Sequence, residues 1–248
     1  MTERDAPPED ERIAALRAGV ALYTAGEFHA AHDPWEGVWL DVRAALAGGD
    51  ADANAGSGDA NRERAGGDSV DDTAETTLDR DERLFHGLIQ FTAAHHHAHE
   101  RNWSGAAGLA ESAREYLADL PDDYRGVDVT EVCASLARLA ADPERVERGP
   151  APTLTHAGKR VAPESLSLDA AALAAEALAE EYGLDAGAVA DAARFAREEE
   201  RAGRSRFAAL LFDLLRVEEP QERRLVYDRL TGLVATERRK EEDVEGLF

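Results

Sequence analysis

The first group of residues with types and spacing suited to chemistry is His32, Glu36 and Trp39. On a helix, Glu36 lies ~40° and Trp39 ~20° from His32 around the axis, so all three share one face. A histidine and a carboxylate one turn apart can share a proton or ligate one metal ion. An adjacent indole restricts water and offers an N–H donor.

A second group lies in the next strongly apolar helical pattern. There His86, Gln90 and His97 fall within ~60° of one another around the axis. The neighbouring residues His95 and His99 point to the opposite side, so the histidine-rich run is not one metal cluster. The two groups meet if the second and third predicted helices pack against each other.

Two functional hypotheses follow from these groups. In the first, they form a His/Glu/Trp pocket that binds a metal or a small polar ligand, with hydrolysis as one use. Its catalytic residues are His32 and Glu36, its metal ligands are His32, Glu36 and His97, and its ligand-binding residues are Trp39, Gln90 and His97. The cofactor is unknown, with a divalent metal as the candidate. In the second, the same residues form a structural polar network in a non-enzymatic scaffold or protein-interaction module.

The other residues near these two groups have simpler predicted roles. Gly87 and Gly105 are expected to let helices approach closely. His95, His96 and His99 are expected to be partly exposed and without a role. Glu27 and Asp33 are the further carboxylates near His32, although neither lies on quite the same face.

Apolar residues recur at helical spacing through most of the chain. The predicted helices are Glu9–Thr24, Phe28–Ala47, Leu84–Arg101, Gly105–Leu117, Thr130–Ala141, Asp169–Tyr182, Ala186–Ala202, Arg206–Val217 and Gln221–Glu241. No stretch alternates with a period of two, which argues against a sheet. The predicted fold class is therefore all-α, an N-terminal bundle of four to five helices with a smaller C-terminal helical region.

Changes in composition divide the chain. Residues 1–142 form the predicted bundle, 143–165 a proline-containing linker and 166–248 the C-terminal helical region. Gly48–Thr77 is rich in Gly, Ala, Asp and Asn, and it cannot bury enough apolar surface to offset its ordering entropy. We therefore expect a disordered acidic insertion at about 48–77.

Charge and composition argue against several kinds of partner and covalent link. The formal net charge is −23 and Lys159 and Lys240 are the only lysines, a pattern typical of an acidic, halophilic protein in a salt-rich cytoplasm. No concentrated basic stripe indicates a nucleic-acid partner. No apolar run reaches the ~20 residues that cross a bilayer, so no membrane partner is expected. The one cysteine, Cys133, excludes an internal disulfide. The sequence leaves open whether the chain binds a protein partner or forms a homo-oligomer.

Two ordered blocks resemble the signature of the domain-of-unknown-function 309 family. The first runs from Gly26 through Phe28 and His32 to Glu36 and Trp39. The second comprises Gly87–Gln90, Ala93, Ala94, His97, Asn102, Gly105 and Ala106. The resemblance covers about Ile13–Leu120 and implies a small α-helical protein of haloarchaeal type. It points to His32, Glu36, Trp39, Gly87, Gln90 and His97 as signature positions, and it implies no established activity.

The sequence departs from this family pattern at three positions of the first block. Ala30 and Asp33 stand where glutamate is common, and the first change removes a carboxylate. Pro34 falls inside the predicted second helix, where it removes a backbone donor and is expected to bend the helix.

Overall fold

The computed structural model of the chain describes residues 6–55, 70–200 and 205–245. These residues form nine α-helices: α1 (Glu9–Thr24), α2 (Asp33–Ala55), α3 (Val70–His99), α4 (Trp103–Leu117), α5 (Val129–Ala141), α6 (Leu168–Glu181), α7 (Ala186–Glu200), α8 (Arg206–Arg216) and α9 (Pro220–Glu245). Two short strands, β1 (Asp123–Tyr124) and β2 (Val127–Asp128), pair antiparallel between α4 and α5. The predicted all-α fold class is confirmed. Within the described ranges, no helix combines the length and the apolar character needed to cross a membrane.

The chain divides into two compact units. Unit 1 consists of Met1–Ile13 and Trp35–Pro152, and unit 2 consists of Ala14–Pro34 and Thr153–Phe248. The boundary between Pro152 and Thr153 lies inside the predicted linker, but Ala14–Pro34 belongs with the C-terminal helices rather than with the predicted N-terminal bundle.

Contacts within unit 2 explain this assignment. The Tyr182 hydroxyl donates to Glu27 Oε1 at 2.9 Å, and Arg17 Nη2 donates to the Ser165 carbonyl at 2.5 Å. Both contacts join the first part of the chain to residues more than a hundred positions away. Local helical patterns carry no signal for such pairing.

The helix ends follow local rules. Gly26 has φ +87° and Gly183 has φ +64°, the left-handed conformation expected after a helix C-terminus. The amide of Glu27 donates to the Leu22 carbonyl at 3.0 Å, which closes the end of α1. Asp185 Oδ1 accepts from the Gly187 amide at 2.9 Å at the start of α7. The predicted helix bounds at Thr24, Tyr182 and Ala186 agree with these ends to within one residue.

The second helix differs from its prediction at both ends. It begins at Asp33 rather than Phe28, so Pro34 lies in the first turn, where its missing N–H has no intrahelical acceptor to lose. The expected bend at Pro34 is therefore wrong. His32 precedes the helix, and the angular argument that assumed it to be helical does not apply to it.

The helices also extend into the predicted insertion. The helix α2 continues to Ala55 and α3 begins at Val70, so both ends of the segment 48–77 are helical. Alanine at these ends has the highest helix propensity of any residue. The remaining residues, 56–69, lie outside the described part of the chain.

A close approach of α3 and α4 shapes unit 1. A Cβ added at Gly87 would lie 2.6 Å from the Leu117 side chain, so the predicted role of this glycine is confirmed. The predicted role of Gly105 is wrong, because a Cβ there would instead meet the side chain of Asn102. Asn102 Oδ1 accepts from the Gly105 amide at 3.1 Å and caps α4 itself.

A buried carboxylate joins three parts of unit 1. Asp81 on α3 is fully buried and accepts hydrogen bonds from the Tyr124 hydroxyl at 2.8 Å and from Arg125 Nε and Nη2, both at 2.9 Å. Arg12 on α1 completes the set. Burial, reinforced by Asp81, raises the pKa of Tyr124 to about 12. Arg125 has φ +53° in the two-residue turn between β1 and β2, and Asp81 holds it there.

Unit 2 has a core of its own. Phe195 on α7 and Phe207 on α8 stack with ring centroids 5.3 Å apart, and Leu211 and Leu214 are fully buried beside them. These four residues therefore belong to one hydrophobic core formed by the C-terminal helices.

Candidate functional site

Trp39 on α2 forms the centre of a polar cluster in unit 1. Its Nε1 donates to Glu82 Oε1 on α3 at 2.8 Å, and its ring lies 4.7 Å from the ring of His86. The Arg43 guanidinium lies over the indole at 4.6 Å. The indole thus fixes the position of a carboxylate one turn before His86, while one of its faces already receives a cation.

The second part of the cluster is the imidazole of His86. Gln90 Nε2 lies 3.0 Å from His86 Nε2, and the amide donating there places the neutral ring's proton on Nδ1. Nδ1 lies 3.7 Å from Glu82 Oε1. Burial lowers the pKa of His86. The negative charge of Glu82 raises it by a smaller amount, and the positive charge of Arg43 lowers it further. At neutral pH the ring is therefore uncharged, and its Nδ1 has no hydrogen-bond partner among the described residues.

Tyr116 on α4 closes the other face of the imidazole. The rings of His86 and Tyr116 have centroids 3.8 Å apart at an interplanar angle of 34°. A pocket of about 420 Å³ opens beside them. It is lined by Asp79, Glu82, Arg83, Ser112, Glu115 and Tyr116. We call it the Glu82 pocket.

The charges of the Glu82 pocket favour a positively charged occupant. Its lining has three carboxylates and one guanidinium. That guanidinium, Arg83, is already paired with Asp79 at 3.2 Å and with Asp119 at 2.9 Å. Glu82 lines the pocket, and one of its carboxylate oxygens accepts from the Trp39 indole.

Another cluster forms where the chain enters α2. Single ligand atoms of His32, Asp33 and Glu36 all lie within 4.8 Å of one another, and His32 Nε2 is 3.0 Å from Asp33 Oδ1. Glu36 is exposed, and the other two side chains are partly exposed. One imidazole and two carboxylates suit a divalent cation such as Zn²⁺ or Mn²⁺. Two predicted metal ligands, His32 and Glu36, are thus adjacent within one turn of the chain.

The other predicted residues have local partners. His97, the third predicted metal ligand, is not a member of this cluster, because its Nδ1 lies 2.9 Å from the amide nitrogen of Asn102, the cap of α4. Gln90 contacts His86, four residues earlier on its helix. The division of the chain assigns His32 to unit 2 and Glu36, Trp39, Gln90 and His97 to unit 1. The convergence of His32 with Gln90 and His97 stays a prediction.

His95 differs from its expected exposure. Its side chain is buried and lies edge-on to Phe91 with ring centroids 4.8 Å apart. Burial, with smaller effects of His99 and Arg145, lowers the pKa of His95 to about 3. The side chain faces the core because α3 is apolar around more of its axis than one stripe.

The sequence hypothesis missed Glu82 and Tyr116. One signal for Glu82 was present, since it precedes His86 by four residues and therefore lies on the same face of the helix. Tyr116 had no local signal, because only the packing of α4 on α3 brings it to His86.

No family model matches the chain, and no curated protein matches it. The resemblance to the domain-of-unknown-function 309 family stays a prediction.

Proposed function

We propose that the protein binds a small organic cation, of the amine class, in the Glu82 pocket. The observation that carries this proposal is the dual contact of Glu82, which lines the pocket and accepts the Trp39 N–H at 2.8 Å. Of the His, Glu and Trp expected in one pocket, only a glutamate, Glu82, lines this one, and Trp39 and His86 contact Glu82 from outside the lining.

The surroundings of Glu82 supply the two interactions that recognise an ammonium group. Carboxylates attract it by charge and accept its N–H donors, and the ring of Tyr116 offers a face for a cation–π contact. The hydrogen bond from Trp39 restricts the Glu82 side chain, which reduces the entropy lost on binding.

Calorimetric titration with butane-1,4-diamine tests the proposal, with butane-1,4-diol as the uncharged analogue. Glu82→Gln keeps an oxygen for the Trp39 N–H and removes the charge. We expect it to weaken diamine binding by about tenfold or more. Glu111→Gln, on the exposed face of α4, is the matched control and should leave binding unchanged. Equal binding of the diol, or diamine binding that survives Glu82→Gln, contradicts the proposal.

A second candidate function is supported by the cluster at the start of α2. We propose that His32, Asp33 and Glu36 hold a divalent metal ion, with water completing its coordination. A bound ion would supply the Lewis acid that the hydrolytic hypothesis requires. These side chains would only bind and orient it.

Glu36→Gln tests the metal proposal, because a ligand must be anionic while an exposed side chain contributes little to the fold. We expect the free energy of unfolding to change by less than about 0.5 kcal/mol. Uptake of Zn²⁺ or Mn²⁺ by protein purified without an affinity tag should fall sharply. Uptake that is the same in the wild type, Glu36→Gln and His32→Gln contradicts the site.

The alternative, a non-enzymatic scaffold or protein-interaction module, makes a different prediction. Under it, Glu82→Gln lowers stability and neither the diamine nor the metal binds. The net charge of −23 supports placing any of these functions in a salt-rich cytoplasm and away from nucleic acid. The resemblance of residues 26–106 supports membership of the domain-of-unknown-function 309 family.

A further inference from the structure

A second cavity lies entirely within unit 2 and is unrelated to the Glu82 pocket. Its volume is about 490 Å³. Its apolar wall includes Leu22, Val161, Leu178 and Leu215. The cationic part of its lining comes from Arg160, Arg216 and Arg223. We call it the Arg223 cavity.

Arg223 on α9 is the unusual member of this lining. The residue is 4% exposed, yet two of its three guanidinium nitrogens, Nε and Nη1, have no hydrogen-bond partner among the described residues. Its Nη2 donates to the Val217 carbonyl at 2.7 Å and lies 3.3 Å from Glu27 Oε1. Buried donors are nearly always paired with protein or ordered water. Arg223 therefore retains capacity for another acceptor.

The carboxylate nearest to Arg223 compensates its positive charge only in part. Its acidic partner, Glu27, also accepts the Tyr182 hydroxyl at 2.9 Å, so that oxygen is shared. The Arg223 guanidinium lies over the Tyr182 ring at 4.2 Å, which orders the guanidinium without neutralising it.

The other two arginines of the lining are occupied differently. Arg216 is paired with Glu164 at 2.7 Å and with Asp213 at 2.9 Å. Arg160 is exposed and donates to the Thr24 carbonyl at 3.3 Å. The Thr24 hydroxyl is buried in the same lining and has no hydrogen-bond partner in the described part of the chain. The Arg223 guanidinium and the Thr24 hydroxyl, which both lack hydrogen-bond partners among the described residues, thus line one cavity.

We propose that the Arg223 cavity binds a small monocarboxylate with an apolar body. The carboxylate would accept from Arg223 and Thr24, and the body would contact the wall formed by Leu22, Leu178 and Leu215. Glu27, Glu164 and Glu218 also line the cavity, so a multiply charged anion would meet repulsion that a single carboxylate avoids.

Titration of the full chain with octanoate tests this inference, with 1-octanol and inorganic phosphate as comparison probes at one fixed potassium chloride concentration. We expect octanoate to bind and Arg223→Gln to weaken it by about tenfold or more. Arg224→Gln is the matched control, since Arg224 is the exposed neighbour on α9 and does not line the cavity.

A second variant keeps the test decisive if Arg223→Gln does not fold. Ala25 is an exposed residue of the lining, so Ala25→Trp should block the cavity without disturbing the core. We expect it to abolish octanoate binding while the melting temperature is unchanged. The inference is overturned if octanoate does not bind, or if its binding survives Ala25→Trp. It is also overturned if octanol or phosphate binds as tightly as octanoate.

Discussion

Asp81 in unit 1 and Arg223 in unit 2 are both buried charged side chains, but their hydrogen bonding differs. The Asp81 carboxylate accepts from two arginines and a tyrosine, so both of its oxygens are satisfied. Arg223 has one carboxylate oxygen at 3.3 Å, one carbonyl and two nitrogens without partners among the described residues.

The difference separates a structural charge from a charge available to a ligand. A buried charge that is fully paired by its own chain stabilises one arrangement of the elements around it. A buried charge that is incompletely paired lowers its free energy when a molecule supplies the missing partner. The following changes in salt concentration and in sequence test this distinction through the stability of the protein.

The largest effect is expected from diluting salt, because it acts on exposed charges rather than on either buried network. The Debye length grows from about 3 Å at 1 M salt to about 10 Å at 0.1 M, so repulsion among the excess acidic groups increases. The melting temperature, followed by circular dichroism, should fall further than in any variant below. Coincident melting curves at both salt concentrations contradict adaptation to salt.

Asp81→Asn should have the largest effect of a single substitution. It leaves Arg12 and Arg125 beside a neutral amide, and breaking a buried ion pair in this way costs about 3–5 kcal/mol. Urea unfolding at fixed salt measures the loss. Asp119→Asn, which removes an exposed partner of Arg83, should cost less than about 1 kcal/mol. Similar losses in the two variants would show that the Asp81 network is not structural.

His95 extends the comparison to a buried group that stays neutral. Its pKa is about 3 in the folded protein and 6.5 in an unfolded chain. Above pH 6.5 neither state binds the proton; between pH 6.5 and 3 the unfolded state binds it preferentially, so stability is lost as pH falls. This contribution amounts to about 3 kcal/mol between pH 7 and pH 4. Urea unfolding at several pH values should give a flatter profile for His95→Phe, whereas His99→Gln, which removes only a smaller contribution to the pKa of His95, should keep most of the slope.

Arg223→Met should cost only about 1 kcal/mol, because it removes an incompletely paired charge. Glu27 keeps the Tyr182 hydroxyl and is 19% exposed, so it is not left alone in the core. Urea unfolding compares this variant with Arg224→Met at the exposed neighbouring position. A loss equal to that of Asp81→Asn would erase the distinction between the two charges.

Local rules predicted most of the fold. Gly26, Gly183 and Asp185 end or begin helices through their own backbone and side-chain preferences, so single residues identified these positions. The same rules could not assign Ala14–Pro34 to unit 2, because a short break between helices does not specify which core the first helix joins. Side-chain pairs such as Glu27 and Tyr182 decide that assignment.

The candidate site was predicted less completely, for a related reason. The contact of His86 with Gln90 follows from their spacing of four residues on one helix. The bond from Trp39 to Glu82 depends on how α2 lies on α3, and the contact of His86 with Tyr116 depends on α4. A periodic pattern identifies the face of a helix and gives no information about its partner.

The missing side chain of Gly87 sets the distance between α3 and α4, whose residues line the Glu82 pocket. Gly87 follows His86 on α3, and the Leu117 side chain that fills its space follows Tyr116 on α4. A methyl group at position 87 would therefore separate α3 from α4, the two helices whose residues line the pocket. Ligand size could thus be tuned, across related chains or by design, at a residue that never touches the ligand.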